Sequence, residues 1–195
     1  MIRHFLAFGL AGFVIVTAMP SVSRATEAPV SQSNFPADLK QAEAYNNQGY
    51  DLASQGKFIE AVAAFEQAIA LYPSYDTAYN NLGITYAQMG NFSAAISAFE
   101  QAITLNSSNV EYYNNLGSAL GSLGRIAEAT NVLTEAIARY PNEPDSHFNL
   151  AIAFLNQNQF SEAIASLKTA RDLYKIRNNF RAVQQINQIL QDLEP

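Results

Sequence analysis

Apolar side chains recur at helical spacing along most of the chain, and the pattern itself repeats. In the stretch AYNNLGITYAQMGNF, Ala78 to Phe92, the ring of Tyr79, the small Gly83 and the ring of Tyr86 are spaced i, i+4, i+7. That spacing marks one face of a helix. A second face follows at i, i+3, i+7, i+10: Phe92, Ala95, Phe99 and Ala102. Gly90 stands just ahead of it and tolerates the left-handed backbone that ends helices. The pattern therefore predicts helix, tight turn, helix. Alternating β-branched runs are scarce, so the whole chain is expected to be all-α.

The unit recurs with a fixed period. Gly49, Gly83 and Gly117 are 34 apart, and the next step lands on Ala151. The register extends to the rings Tyr45, Tyr79, Tyr113 and His147, and to the alanines Ala61, Ala95, Ala129 and Ala163. It holds again at Phe65, Phe99, Leu133 and Leu167, then at Ala68, Ala102, Ala136 and Ala170. Gly56, Gly90, Gly124 and Asn158 separate the two helices of each unit. Pro73 and Pro141 close two of the four segments, which run 42–75, 76–109, 110–143 and 144–177.

These motifs resemble the tetratricopeptide repeat (TPR) family over residues 42–177, with the first helix starting near Pro36. The departures are Gln48 where the family prefers Leu, Ser107 and Lys175 where it prefers Pro, and Ala151 for Gly. The resemblance implies a right-handed α-solenoid of four helix-turn-helix hairpins over 37–177. A stacked array leaves an apolar side on its last repeat, which calls for a polar-backed cap. Phe180, Val183, Ile186, Leu190 and Leu193 share one helical stripe, so 178–195 is expected to be that capping helix.

The doublet Asn-Asn is costly inside a helix, roughly half a kcal/mol per residue against Ala, yet the five residues YNNLG come twice. With Tyr79 at the zero of a helical wheel, Asn80 falls at about 100° and Asn81 at about 200°, off the hairpin's own core face. In a solenoid those far sides line a concave groove. Asn47, Asn81, Asn115 and Asn149 are then expected to form a ladder, one rung per repeat, with Asn46, Asn80, Asn114, Tyr50, Glu43 and Glu111 beside it. A carboxamide donates and accepts, so such a ladder can pair with the main chain of an extended peptide. It is similar to the asparagine ladder in the TPR region of O-GlcNAc transferases; the likeness stops at the repeats. Inheritance by duplication, with the asparagines passively solvated, is the plainer alternative. Phe148, Ile152 and Leu155 are expected to form an apolar patch at the groove's end unless the C-terminal helix covers them.

Chaperone-binding TPR proteins hold a carboxylate with Lys and Arg. Here the groove positions bring Glu43, Glu111 and Asp145 and no cation, so an acidic tail is expected to be repelled. Catalysis is not expected. There is no cysteine, which excludes disulfides, thiolate metal sites and thiol nucleophiles. His147 holds a ring position of the repeat, and Gly121-Ser122-Leu123-Gly124 is turn chemistry without a Lys-Ser/Thr tail. No cofactor or metal is implied.

Residues 1–25 have the order of a secretory signal: basic Arg3, an apolar run from Phe5 to Met19, then Pro20 and Ser23-Arg24-Ala25. Residues 26–36 are expected to be a flexible linker. Cleavage would deliver the repeats to a periplasm, a lumen or the outside, as an exported adaptor or assembly factor. If uncleaved, residues 5–22 would tether a scaffold to the membrane, and self-association is a third reading. Without residues 1–25 the chain carries 9 basic and 17 acidic residues, a formal charge of −8. That excludes a backbone-reading partner such as DNA or RNA. The expected partner is a protein or peptide segment.

Overall fold

The computed structural model describes residues 37–193. Among the described residues there are nine α-helices and no strand. They are α1 (Ala37–Ser54), α2 (Phe58–Leu71), α3 (Asp76–Gln88), α4 (Phe92–Leu105), α5 (Val110–Ser122), α6 (Ile126–Arg139), α7 (Pro144–Asn156), α8 (Phe160–Ile176) and α9 (Phe180–Leu193). The all-α architecture of hairpins followed by a C-terminal helix is the one the periodicity predicts. The expected signal, linker and tether in residues 1–36 lie outside the described residues. No helix among the described residues is long and apolar enough to cross a membrane.

The helices form two compact units, divided between Leu105 and Asn106. In the first, α1 packs on α2, α2 on α3 and α3 on α4, and α1 also touches α3. In the second, α5 packs on α6, α6 on α7, α7 on α8 and α8 on α9, and α5 touches α7.

Each hairpin closes through the same backbone device. In α3–α4, Gly90 takes φ 76°, and the N–H of Asn91 reaches back to Tyr86 O at 2.9 Å. This is the bond that caps a helix after a left-handed residue. Asn158, φ 58°, does the same in α7–α8, one of the few residue types that tolerates that region. The α8–α9 turn repeats it, with Asn178 at φ 56° and Asn179 N–H donating to Tyr174 O at 2.9 Å. So α8 serves twice, as the second helix of one hairpin and the first of another.

The hairpin core is built by close approach. A Cβ added to Gly83 would stand 2.6 Å from Phe99 Cε1, and one added to Gly49 would stand 2.7 Å from Phe65 Cε1. Both rings are buried. The C-terminal stripe is narrower than expected. Val183, Ile186 and Leu190 are buried against the rest of the second unit, but Phe180 is 64% exposed. It is the first residue of α9, beside the turn, where α8 has already run out.

Candidate functional site

In the first unit, the first helix of each hairpin carries the repeated asparagines. Asn46 and Asn81 face each other across the two hairpins, and Asn81 Nδ2 donates to Asn46 Oδ1 at 2.9 Å. Thr85 Oγ1 donates to Asn81 O at 2.8 Å. Asn46, Asn80, Asn81 and Thr85 are all buried, as is Ile84. What remains open on α1 is a ridge at helical spacing: Glu43 and Asn47 are exposed and Tyr50 is half-buried. Thr77 and Gln88 are exposed on α3.

Beside this ridge stands Tyr75, packed on Ala42, Ala68 and Ala78 and edge-on to Tyr72 with ring centroids 6.3 Å apart. Its phenol is pushed above the usual tyrosine range by burial first, then by the charges of Glu43 and Asp76. One acid from α1 and one from α3 thus converge on the same tyrosine.

The second unit places the same doublet differently. Ser146 Oγ donates to Asn114 Oδ1 at 2.7 Å, and Asn149 Nδ2 donates to the backbone oxygen of Asn114 at 3.4 Å. Asn114, Asn115 and Ser146 are buried, whereas Asn149, Glu111 and Ile152 are half-buried. A polar clasp closes the fourth hairpin. Arg177 donates to both carboxylate oxygens of Glu143, at 3.0 and 2.9 Å, and to Asn142 O at 3.0 Å. Tyr174 donates to Asp145 Oδ1. Burial raises the Asp145 carboxyl above the usual range; the Tyr174 bond opposes this, and neighbouring Glu143 adds to it. Burial, then Asp145, pushes the Tyr174 phenol up.

Three expectations are corrected by this geometry. The helical wheel set the asparagines on an open groove, yet Asn46, Asn80, Asn81, Asn114 and Asn115 are buried. The wheel accounts for a helix's partner within its hairpin and misses the neighbouring hairpin. A buried carboxamide needs hydrogen-bond partners, and for Asn46, Asn81 and Asn114 the neighbouring hairpin supplies one. The apolar patch loses its largest member, because Phe148 is only 5% exposed on a helix packed against α5, α6 and α8. Ile152 and Leu155 remain half-buried. Asp145, grouped with the groove acids, is bonded to Tyr174. His147 is half-buried, its Nε2 2.9 Å from Pro141 O. Tyr113, the equivalent ring, likewise donates to Ser107 O at 3.3 Å, so this ring ties the helix to the turn six residues back.

The inter-hairpin bonds escaped a repeat-by-repeat reading, though a signal was present. Asn46 to Asn81 and Asn114 to Asn149 are both separations of 35, one more than the period. The first asparagine of a doublet therefore meets the second asparagine position of the next repeat.

Comparison with known proteins agrees with the fold. Two tetratricopeptide repeat family models match residues 40–108 and 114–179. Among curated proteins nothing matches. Among solved structures, the chain is similar to YrrB, a TPR protein with an unusual peptide-binding site, at 22% identity and TM-score 0.57, covering 82% of this chain and 93% of that one. It is similar to MamA MSR-1 C2 at 26% identity and TM-score 0.61, covering 73% and 82%. The first TPR of Spaghetti (RPAP3), bound to the HSP90 peptide SRMEEVD, aligns at 22% identity and TM-score 0.59, covering 62% of this chain and 98% of that one. On the repeat models and the hairpins that bear their residues, the chain belongs to the tetratricopeptide repeat family.

Proposed function

We propose that the protein is a non-catalytic interaction module that holds a segment of a partner protein along the first helices of its hairpins. The observation that carries this reading is the open ridge of α1. In a family of repeat scaffolds, it presents an exposed carboxylate, an exposed carboxamide and a half-buried aromatic ring on one helix face. That mixture of anchor and adaptable hydrogen bonding suits a peptide contact. Asn149 and Ile152 give the second unit a half-buried counterpart.

The buried asparagines support this site from behind, with Asn47 and Asn149 the rungs that remain at least partly open. The relatives named above include proteins with peptide sites, one of them bound to the acidic HSP90 peptide SRMEEVD. The same ligand is a poor fit here. Helices α3, α5 and α7 contain no Lys or Arg and α1 has a single lysine, Lys40, so they offer no set of cations to pair with several acidic side chains and a terminal carboxylate. The role we favour is that of an exported adaptor or assembly factor, delivered by the N-terminal apolar run.

The test is site-specific photo-crosslinking in a native extract, with the probe placed in turn at Asn47 on α1 and at exposed Ser97 on α4. The reading predicts discrete protein adducts at Asn47 and none at Ser97. Adducts confined to Ser97, or absent from both, contradict it.

A further inference from the structure

We propose that the turn between α8 and α9 is a contact for an anionic lipid surface. The proposal does not depend on the reading of α1. Lys175, Ile176, Arg177, Asn178, Asn179, Phe180 and Arg181 follow one another, and all are exposed. Ile176 is 77% and Phe180 64% exposed, so neither side chain walls a groove; both project. Phe58 and Phe92 hold the same first position of the helix after a tight turn, in α2 and α4, and both are half-buried. The exposure of Phe180 is therefore particular to this turn, and Ile176 stands on the turn's other side.

Charge points to what covers the two side chains. Residues 168–181 hold five cations, Lys168, Arg171, Lys175, Arg177 and Arg181, and one acid, Asp172, a formal charge of +4. Residues 37–167 hold 13 acidic residues and four cations, a formal charge of −9. The cations of the turn are only partly spent within the protein. Arg177 is held by Glu143. Asp172 is shared, 3.0 Å from Arg171 and 3.5 Å from Lys175, so one carboxylate faces two cations. Arg181 makes no ion pair or hydrogen bond among the described residues.

Apolar side chains flanked by Lys and Arg suit a lipid interface, with the ring and methyls below the headgroups and the cations among them. Lys175 and Arg181 would meet headgroup phosphates by charge-assisted hydrogen bonds. The backbone of the turn is ready for that setting. The N–H groups of Arg177, Asn178 and Asn179 donate to Leu173 O, Lys175 O and Tyr174 O at 3.1, 3.0 and 2.9 Å, and an unbonded amide is what a lipid environment penalises. A projecting apolar pair needs a matched recess in a protein partner, whereas a lipid surface accepts it without one. The acidic remainder of the chain does not prevent the contact, because at about 0.1 M salt its repulsion fades within about 10 Å.

The chain contains no tryptophan, so Phe180→Trp in the full chain reports on this turn alone. Ile59→Trp is the control, at the comparably exposed Ile59 of α2. Each is mixed at about 0.1 M salt with vesicles of phosphatidylcholine and phosphatidylglycerol, or of phosphatidylcholine alone. The emission of Phe180→Trp shifts to the blue on the anionic vesicles and is quenched by brominated lipid, and it stays unshifted on the neutral ones. Ile59→Trp shifts on neither. In the Phe180→Trp background, Lys175→Gln with Arg181→Gln raises the lipid needed for half the shift about twentyfold, and Ile176→Ser raises it about fivefold. Circular dichroism confirms that the variants stay helical. Because the readout is local, insertion of the N-terminal apolar run into the vesicles does not mimic the result. No shift of Phe180→Trp, an equal shift on neutral vesicles, or an equal shift of Ile59→Trp overturns the proposal. A shift with lipid-free soluble extract and none with vesicles would give the turn to an acidic protein and overturn it as well.

Discussion

In the first unit the close approach inside a hairpin is made by glycine against an aromatic ring, Gly49 to Phe65 and Gly83 to Phe99. In the second it is Gly117 against Leu133, and in the fourth hairpin the same two positions hold Ala151 and Leu167, both buried. A planar ring seated over the helix leaves no space for a methyl group. A branched aliphatic chain has rotamers that yield, and Ala151 shows a Cβ accommodated at that place. The lesson is that the small residue of this repeat is set by its partner across the hairpin. The two units also differ in how they join hairpins, amide to amide at Asn46 and Asn81, but hydroxyl to amide at Ser146 and Asn114.

The largest expected effect separates the two kinds of pair. Gly83→Ala forces the Phe99 ring to move and costs about 2–3 kcal/mol by overpacking. Gly117→Ala meets Leu133, whose Cγ would lie 2.6 Å away but can re-orient, and gains up to about 1 kcal/mol of helix propensity. It is expected to stay within about 1 kcal/mol of wild type. Adding Phe99→Leu to Gly83→Ala recreates the pair of the fourth hairpin and should recover part of the loss in urea unfolding. No recovery would break the comparison.

Next in size is the loss of an inter-hairpin partner. Asn81→Ala leaves the buried Asn46 oxygen without the donor it has now, and costs about 1–3 kcal/mol. Ser146→Ala in the second unit likewise leaves the buried Asn114 Oδ1 without the hydroxyl it accepts from, since Asn149 bonds only the Asn114 backbone oxygen, and should also cost about 1–3 kcal/mol. Calorimetric melting of the two variants measures both directly.

How far the sequence reveals this architecture follows from what period and wheel can carry. The hairpins, their turns and the buried Ala61, Phe65, Ala95, Phe99, Ala129 and Leu133 are visible because each packs within 34 residues of itself. The fate of the asparagines is not, because burial by the next hairpin depends on a register of 35 that no single helix displays. Phe148 is hidden for the same reason. Gln48 is the instructive exception: it is exposed at the position where Leu82, Leu116 and Leu150 are buried, so α1 shows a polar outer face where later first helices show an apolar one. The open ridge of α1 follows from that polarity together with helical spacing, and it needed the structure only to show which asparagine stays outside.

The clasp of the second unit gives two smaller effects. Arg177→Gln removes a bidentate pair whose members are 49% and 15% exposed, and should cost only about 0.5 kcal/mol, less still in high salt. For Asp145 the sign runs the other way. Its carboxyl is raised in the folded protein, chiefly by burial, so its protonated form is the one the fold favours. The stability it lends is complete below the unfolded value of about 3.9 and is lost as pH rises through the folded value. Asp145→Asn keeps an acceptor for Tyr174 and sheds the charge beside Glu143. It should therefore be more stable than wild type near neutral pH, with the difference vanishing in acid.

The most direct measurement is a double-mutant cycle on Asn46 and Asn81 by urea unfolding, since the account holds that the repeated asparagines join hairpins and thereby leave the α1 ridge as the contact face. It predicts a coupling of about 1 kcal/mol or more. A coupling within about 0.3 kcal/mol of zero would mean that the two amides do not hold each other, and would contradict the account.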